Sequence, residues 1–296
     1  MKDFSFSKSE EDKVFLDFSE DICLLQKRKS NRQEATHGRK PPKVAYCNGS
    51  LFHWEKKTKS GIMTMTELLF MEDQYLKEFP AAVTNVNNNE IELDKTAFYP
   101  EGGGQPCDLG MVENNNDMYN VTHVRKENGR IVHTVDKEGL KINDKINCKI
   151  DWPRRYALMR NHTAAHVLSA VINNETGALI TGNQLGTEQS RIDFSLEVFD
   201  KEKIKEYVEK ANGLLAQDVP IKTYFISWEE VDESITKLAM GLHGHEKIRI
   251  VEIGDIDRQA DGGTHVTSTR EVGRIELLKI ENKGKNNRRV YFRVIN

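Results

Sequence analysis

From Ala82 onward apolar and polar residues alternate in short runs. Ala82 to Val86 and Glu90 to Leu93 flank an Asn-rich turn, and Tyr119 to Val124 and Arg130 to Val135 flank Glu127-Asn128-Gly129. Asn-Gly between alternating runs is the strongest short hairpin signal, because both turn residues take positive φ. Leu140 to Ile150 alternates as well and reads as another strand. Short strands at regular spacing, without helices between them, predict a small β-barrel over 65–151.

At Trp152-Pro153 the period changes from two to that of a helix, with proline suited to a first helical turn. The pattern predicts a helix to about Asn174, with Gly177 just beyond it. Ile180 to Gly186 reads as a glycine-punctuated loop leading into a strand at Arg191 to Phe194. Asp200 is placed to cap a helix through about Gln217. Ile221 to Ile226 and Ile248 to Ile253 read as strands, with a helix from Trp228 to about Ala239 between them. Gly273 to Ile280 and Arg289 to Ile295 alternate like a two-stranded ribbon. Helices mixed with mostly antiparallel strands make 152–296 an α+β domain. The whole reads as an α+β chain, a small barrel followed by a larger mixed domain.

Residues 1–62 differ: dense mixed charge, apolar residues only at Val14 to Leu16 and Ile22 to Leu25, too few to build a core. The expectation is a poorly ordered extension, or a start assigned too early with the initiator at Met63 or Met65. Composition narrows the rest. The formal net charge is −3 over 296 residues, which argues against a uniformly basic surface but leaves room for a local patch. Four scattered cysteines, with no Cys-x-x-Cys, indicate neither a disulfide framework nor a cysteine zinc finger. No apolar run is long enough to span a bilayer and no signal peptide is visible, so a cytoplasmic protein without a membrane partner is expected.

The chemistry lies in three motifs. His162 and His166 stand four apart on the predicted helix and share one face, so two imidazoles can reach one divalent cation. Thr163 stands where a His-Glu-x-x-His zinc protease carries its glutamate. Asp261 and His265, again four apart, flank Gly262-Gly263, where the backbone can bend closely around a site. Gly102-Gly103-Gly104-Gln105 is a turn or ligand-facing loop, and it lacks the Gly-Lys-Ser/Thr ending of a phosphate-binding loop.

The Phe98-Tyr99-Pro100-Glu101 to Gly103-Gly104-Gln105 segment, the His162 to His166 helix, the Thr181-Gly182-Asn183-Gln184 loop and Gly262-Gly263-Thr264-His265 follow one another as in alanyl-tRNA editing proteins. The chain resembles that family, and specifically the freestanding medium-length type, from about Met65 to Asn296. The resemblance implies hydrolysis of the ester joining serine, or glycine, to alanine tRNA, with one Zn2+ as cofactor and the tRNA acceptor end as partner. No obligate protein partner is evident. It implies His162, His166, Asp261 and His265 as metal ligands, although the family usually has cysteine where this chain has Asp261. Three readings stay open: aspartate ligates, the three histidines hold the metal alone, or the site has lost its metal. The resemblance also implies that Thr163 bonds the serine hydroxyl and that Gln184 takes part in catalysis. Gly102, Gly103, Gly104, Gln105, Asn183, Arg160 and Arg288 are expected to contact the substrate. Two rival functions remain: a zinc hydrolase of small esters, and an inactive tRNA-binding module.

Overall fold

The computed structural model describes residues 55–58, 61–64, 66–197, 200–231 and 247–296. Most of the N-terminal 62 residues, and most of the helix expected from Trp228 to Ala239, lie outside these. Strands β1 (Glu55–Thr58) and β2 (Gly61–Thr64) pair as an antiparallel hairpin. The two-residue β3 (Glu67–Leu68) runs parallel to β6 (Lys95–Thr96), the latter just after β4 (Glu78–Asn87) and β5 (Glu90–Leu93).

β4 and β5 join β7 (Gly110–Asn114), β8 (Asp117–Glu127), β9 (Arg130–Val135) and β10 (Lys145–Ile150) in a closed antiparallel barrel, ordered β10-β4-β5-β9-β8-β7. Closure leaves no unpaired strand edge. Alternation works as the sequence implies: β10 buries Ile146, Cys148 and Ile150 and exposes Lys145, Asn147 and Lys149. Three hairpin turns place Asn88, Asn115 and Asn128 at φ between 50° and 56°, a region asparagine tolerates. The strand expected from Leu140 begins only at Lys145, since residues 141–144 form the preceding turn, with Asn143 at φ 73°.

Helix α1 (Trp152–Thr176) starts two residues after the barrel's last strand. Asp151 caps it by accepting from the Arg154 N–H, and Gly177 ends it at φ 71°. Beyond it come β11 (Ile180–Gln184), β12 (Ser190–Phe194), α2 (Lys201–Leu215), β13 (Ile221–Ser227), β14 (Lys247–Ile253), β15 (Asp257–Ala260), β16 (Arg274–Asn282) and β17 (Arg288–Ile295). They make a four-stranded sheet, β11-β12-β17-β16, and a three-stranded sheet, β13-β14-β15. Ile180 to Gln184 is thus an edge strand, bulged between Ile180 and Gly182, where the sequence reads as a loop. After β13 the chain makes one 3-10 turn, Trp228–Glu230, closed by a capping box from Ser227 and Glu230.

Leu168, Val171 and Ile172 of α1 pack with Val208, Ala211 and Leu215 of α2 and with Phe194, Val251, Ile253 and Phe292 of the sheets. A fully buried ion pair ties this domain to the barrel. Arg155 Nε donates to both Asp108 oxygens at 2.9 Å, Nη2 pairs with Asp108 Oδ2, and Nη1 donates to the Gln74 carbonyl at 2.9 Å. Asp108 also accepts the Tyr99 N–H at 2.6 Å. Such a pair persists only when all its donors and lone pairs are satisfied. Here that requirement fixes the start of the glycine-rich loop against the first turn of α1.

Candidate metal centre

α1 is buried on every side through its middle, so the polar side chains it carries there must find partners inside the protein. His162, His166, Asp261 and His265 converge, with one ligand-capable atom from each lying within 4.8 Å of all the others. Four donors at roughly 2.1 Å from one tetrahedral ion would be about 3.4 Å apart, so this cluster is open by no more than about 1.4 Å. The Asp261 carboxylate faces the imidazoles. Its Oδ2 is 2.9 Å from His265 Nε2 and its Oδ1 is 3.8 Å from His162 Nε2. Asp261 is also held by its own loop, accepting the Gly263 N–H at 2.9 Å.

Each imidazole is anchored through Nδ1. His162 Nδ1 is 3.0 Å from Gln105 Oε1, His265 Nδ1 is 3.1 Å from Thr163 Oγ1, and His166 Nδ1 is 2.8 Å from Asp257 Oδ2. Outer partners on one ring nitrogen are how proteins fix the tautomer and angle of a metal-ligating histidine. Gln259 Nε2 in turn donates to Asp257 Oδ2 at 2.7 Å. The loop itself is clamped from below by Arg249, whose Nη1 donates to the Asp261 and Gly263 carbonyls at 2.9 Å each. From the other side, the His265 N–H donates to Gln74 Oε1 at 2.6 Å. Gly263 is where glycine is required. A Cβ there would lie 2.2 Å from His162 Cε1 and 2.5 Å from His162 Nδ1.

Burial sets the protonation. It lowers His162 well below the usual imidazole value, with the charges of His265, His166 and Arg249 acting the same way against Asp261. Burial likewise brings His265 down to about 4. His166 differs: burial lowers it, but the bond to Asp257 and the charges of Asp257 and Asp261 together outweigh this and leave it above the usual value. Burial would raise the Asp261 carboxyl, yet the surrounding imidazoles hold it well below the usual carboxylate range. His162 and His265, both held toward the neutral form, beside an ionised carboxylate make a donor set suited to a borderline divalent ion. The residues fit a metal.

The other expected site residues are placed variously. Gly104 (φ 85°) backs onto β11: a Cβ there would lie 1.6 Å from Asn183 Oδ1, and its carbonyl accepts the Leu185 N–H at 2.8 Å. Gly103 (φ 59°) faces open space, and the Gly102 carbonyl accepts from the Tyr99 hydroxyl at 3.0 Å. Gln105 is buried beneath His162. Gln184 is exposed at the end of β11, where its Oε1 accepts from Arg191 Nε at 3.0 Å. Thr163 is fully buried on His265. Neither arginine joins the cluster. Arg160 donates to the Val272 carbonyl through Nε (2.9 Å) and Nη2 (2.7 Å), and Arg288 is buried with its guanidinium on the carbonyls of Gly284, Asn287 and Glu197. Asp257, Gln259, Gln74 and Arg249 were not anticipated. Only the polar character of Asp257-Arg258-Gln259 beside the Asp261 motif hinted at them.

Two sequence profiles named for synthetases that charge tRNA match the chain. Residues 8–154 match the profile described as tRNA synthetases class II (A), and 248–291 match the threonyl and alanyl tRNA synthetase second additional domain. The alanyl-tRNA editing protein AlaX-M of Methanosarcina barkeri is 48% identical over 242 residues, covering 78% of this chain and 100% of that protein. Its namesake in Saccharolobus solfataricus is 45% identical over 236 residues, covering 78% and 99%. The alanine–tRNA ligase of Methanococcus aeolicus is 37% identical over 223 residues, 73% of this chain but 24% of the ligase. The chain belongs to the alanyl-tRNA editing protein family.

Proposed function

We propose that this protein is a trans-editing aminoacyl-tRNA deacylase. It hydrolyses the ester that joins serine, and also glycine, to alanine tRNA, and it works in the cytoplasm beside the synthetase whose errors it removes. A synthetase pocket built for alanine cannot strongly reject a slightly smaller or hydroxylated side chain, so a second hydrolytic site is the physical remedy. The observation that carries the reading is the convergence of His162, His166, Asp261 and His265, every imidazole anchored through Nδ1.

These four residues would hold one zinc ion, which supplies Lewis-acid polarisation of an oxygen in its coordination sphere. Aspartate takes the place of the family's usual cysteine; it is a harder donor within zinc's normal repertoire. The protein's own groups do the positioning. Thr163 holds His265, and Asp257 with Gln259 holds His166. We assign Thr163 to the serine hydroxyl, since its own hydroxyl lies beside the cluster, 3.1 Å from His265 Nδ1. The acceptor end enters where Gly102 to Gly104 meet Asn183 and Gln184, since Gly103 faces open space and Gln184 is exposed. The test is deacylation of serine-charged against alanine-charged alanine tRNA, with free seryl esters as a control. Rapid loss of serine alone, dependent on the tRNA, supports editing. Equal hydrolysis of free esters would instead support a general esterase.

A further inference from the structure

Gln105 belongs to the barrel's glycine-rich loop and stands 57 residues before His162, yet it is 1% exposed and lies directly against that ligand's ring. Its amide cannot be turned over. The backbone N–H of Thr264 can only donate, and it lies 3.1 Å from Gln105 Oε1, while Gln105 Nε2 donates to Thr264 Oγ1 at 2.9 Å. The same Oε1 is 3.0 Å from His162 Nδ1. An acceptor in that position requires the proton on Nδ1, which leaves Nε2 bare and facing the Asp261 carboxylate.

We infer that Gln105 is a positioning residue: it selects the Nδ1–H tautomer of His162 and so presents Nε2 to the cation. This rests on reading the cluster as a metal centre. His166 and His265 are oriented by Asp257 and Thr163, residues of the same α+β domain. His162 is oriented from the barrel. The glycine-rich loop therefore does more than shape an entrance. Its last residue sets the angle of a ligand, and the Asp108–Arg155 pair holds the loop in register with the helix that carries that ligand.

The experiment uses the full chain without tRNA. Two-dimensional proton–nitrogen spectra of protein carrying nitrogen-15 histidine report the His162 tautomer, assigned by loss of its signals in His162→Gln. Competition with a chromophoric chelator reports zinc affinity. Wild-type protein should show His162 with Nδ1 protonated. Gln105→Leu should lose that single tautomer and weaken zinc binding by about 10- to 100-fold, the usual cost of deleting an outer partner of a histidine ligand. Gln105→Glu keeps an acceptor and should retain both. Should the leucine variant misfold, Gln105→Asn keeps the amide but withdraws it by one methylene, and should show the same losses. An Nε2-protonated His162 in the wild type, or unchanged zinc affinity in the leucine and asparagine variants, overturns the inference. If the protein binds no metal, the metal reading falls, while the tautomer spectra still decide whether Gln105 sets the ring.

Discussion

Gly263→Ala isolates the packing of the proposed metal ligand His162 from every other property of the loop. Gly263 does not adopt a positive φ, so alanine meets no backbone penalty there. Its methyl group would stand 2.2 Å from His162 Cε1, where ordinary contact begins at 3.4 Å, so the ring must withdraw by about 1.2 Å. Metal–ligand distances tolerate roughly ±0.2 Å. A displacement several times larger removes His162 from the coordination sphere, or drags the Asp261 loop away from it. Zinc affinity should then fall by more than the roughly 10- to 100-fold typical of a lost outer partner. Deacylation at saturating zinc should fall at least about 100-fold, as expected for a misplacement near 1 Å. Gly262→Ala is the matched control, since its Cβ would meet nothing within 4 Å. Chelator competition and single-turnover deacylation of seryl-tRNA measure both quantities. Wild-type affinity and rate in Gly263→Ala would refute the proposed closeness of loop and ligand.

Three other outcomes are expected. Gly104→Ala should lower deacylation far more than Gly103→Ala in the same assay, because both have positive φ but only Gly104 would drive its Cβ into Asn183. Asp261→Cys should bind zinc at least as tightly as the wild type, and Asp261→Ala more weakly, by chelator competition; equal affinities would show that the three histidines hold the ion alone. His133, fully buried in the barrel against Thr96 and Phe98, has burial push its imidazole down to about 4. The unfolded chain takes that proton near 6.5 and the folded one does not, so stability is lost as pH falls between these values and levels off below about 4. The loss should approach about 3 kcal/mol, and urea unfolding of His133→Leu between pH 7 and 4 should show a correspondingly shallower decline.

The barrel was legible because its cues are local. Alternation, Asn-Gly and Asn-rich turns act over a few residues, and the closed sheet follows from repeating them. α1 was legible for the same reason, from Pro153 to Gly177. β11 was not, since Gly182 in an edge strand looks like loop composition, and the pairing that makes it a strand is contributed by β12. β15 escaped because Asp257-Arg258-Gln259-Ala260 has neither alternation nor β-branched residues, and it is held by register with β14. The four converging residues, His162, His166, Asp261 and His265, could be named from four-residue spacing and resemblance. Their anchors Gln105, Asp257 and Gln74 act across 57, 91 and 191 residues of chain, distances over which no local pattern operates. Arg160 and Arg288 show the converse: a positive charge in the sequence does not say whether its hydrogen bonds go to phosphate or to backbone carbonyls.

The central claim is tested most directly by incubating metal-stripped and zinc-restored protein with alanine tRNA charged with serine or with alanine, and following loss of the amino acid. The account predicts rapid release of serine by the zinc-restored protein, little release of alanine, and little of either once metal is removed. Full serine release by the metal-stripped protein would contradict it, as would equal release of serine and alanine.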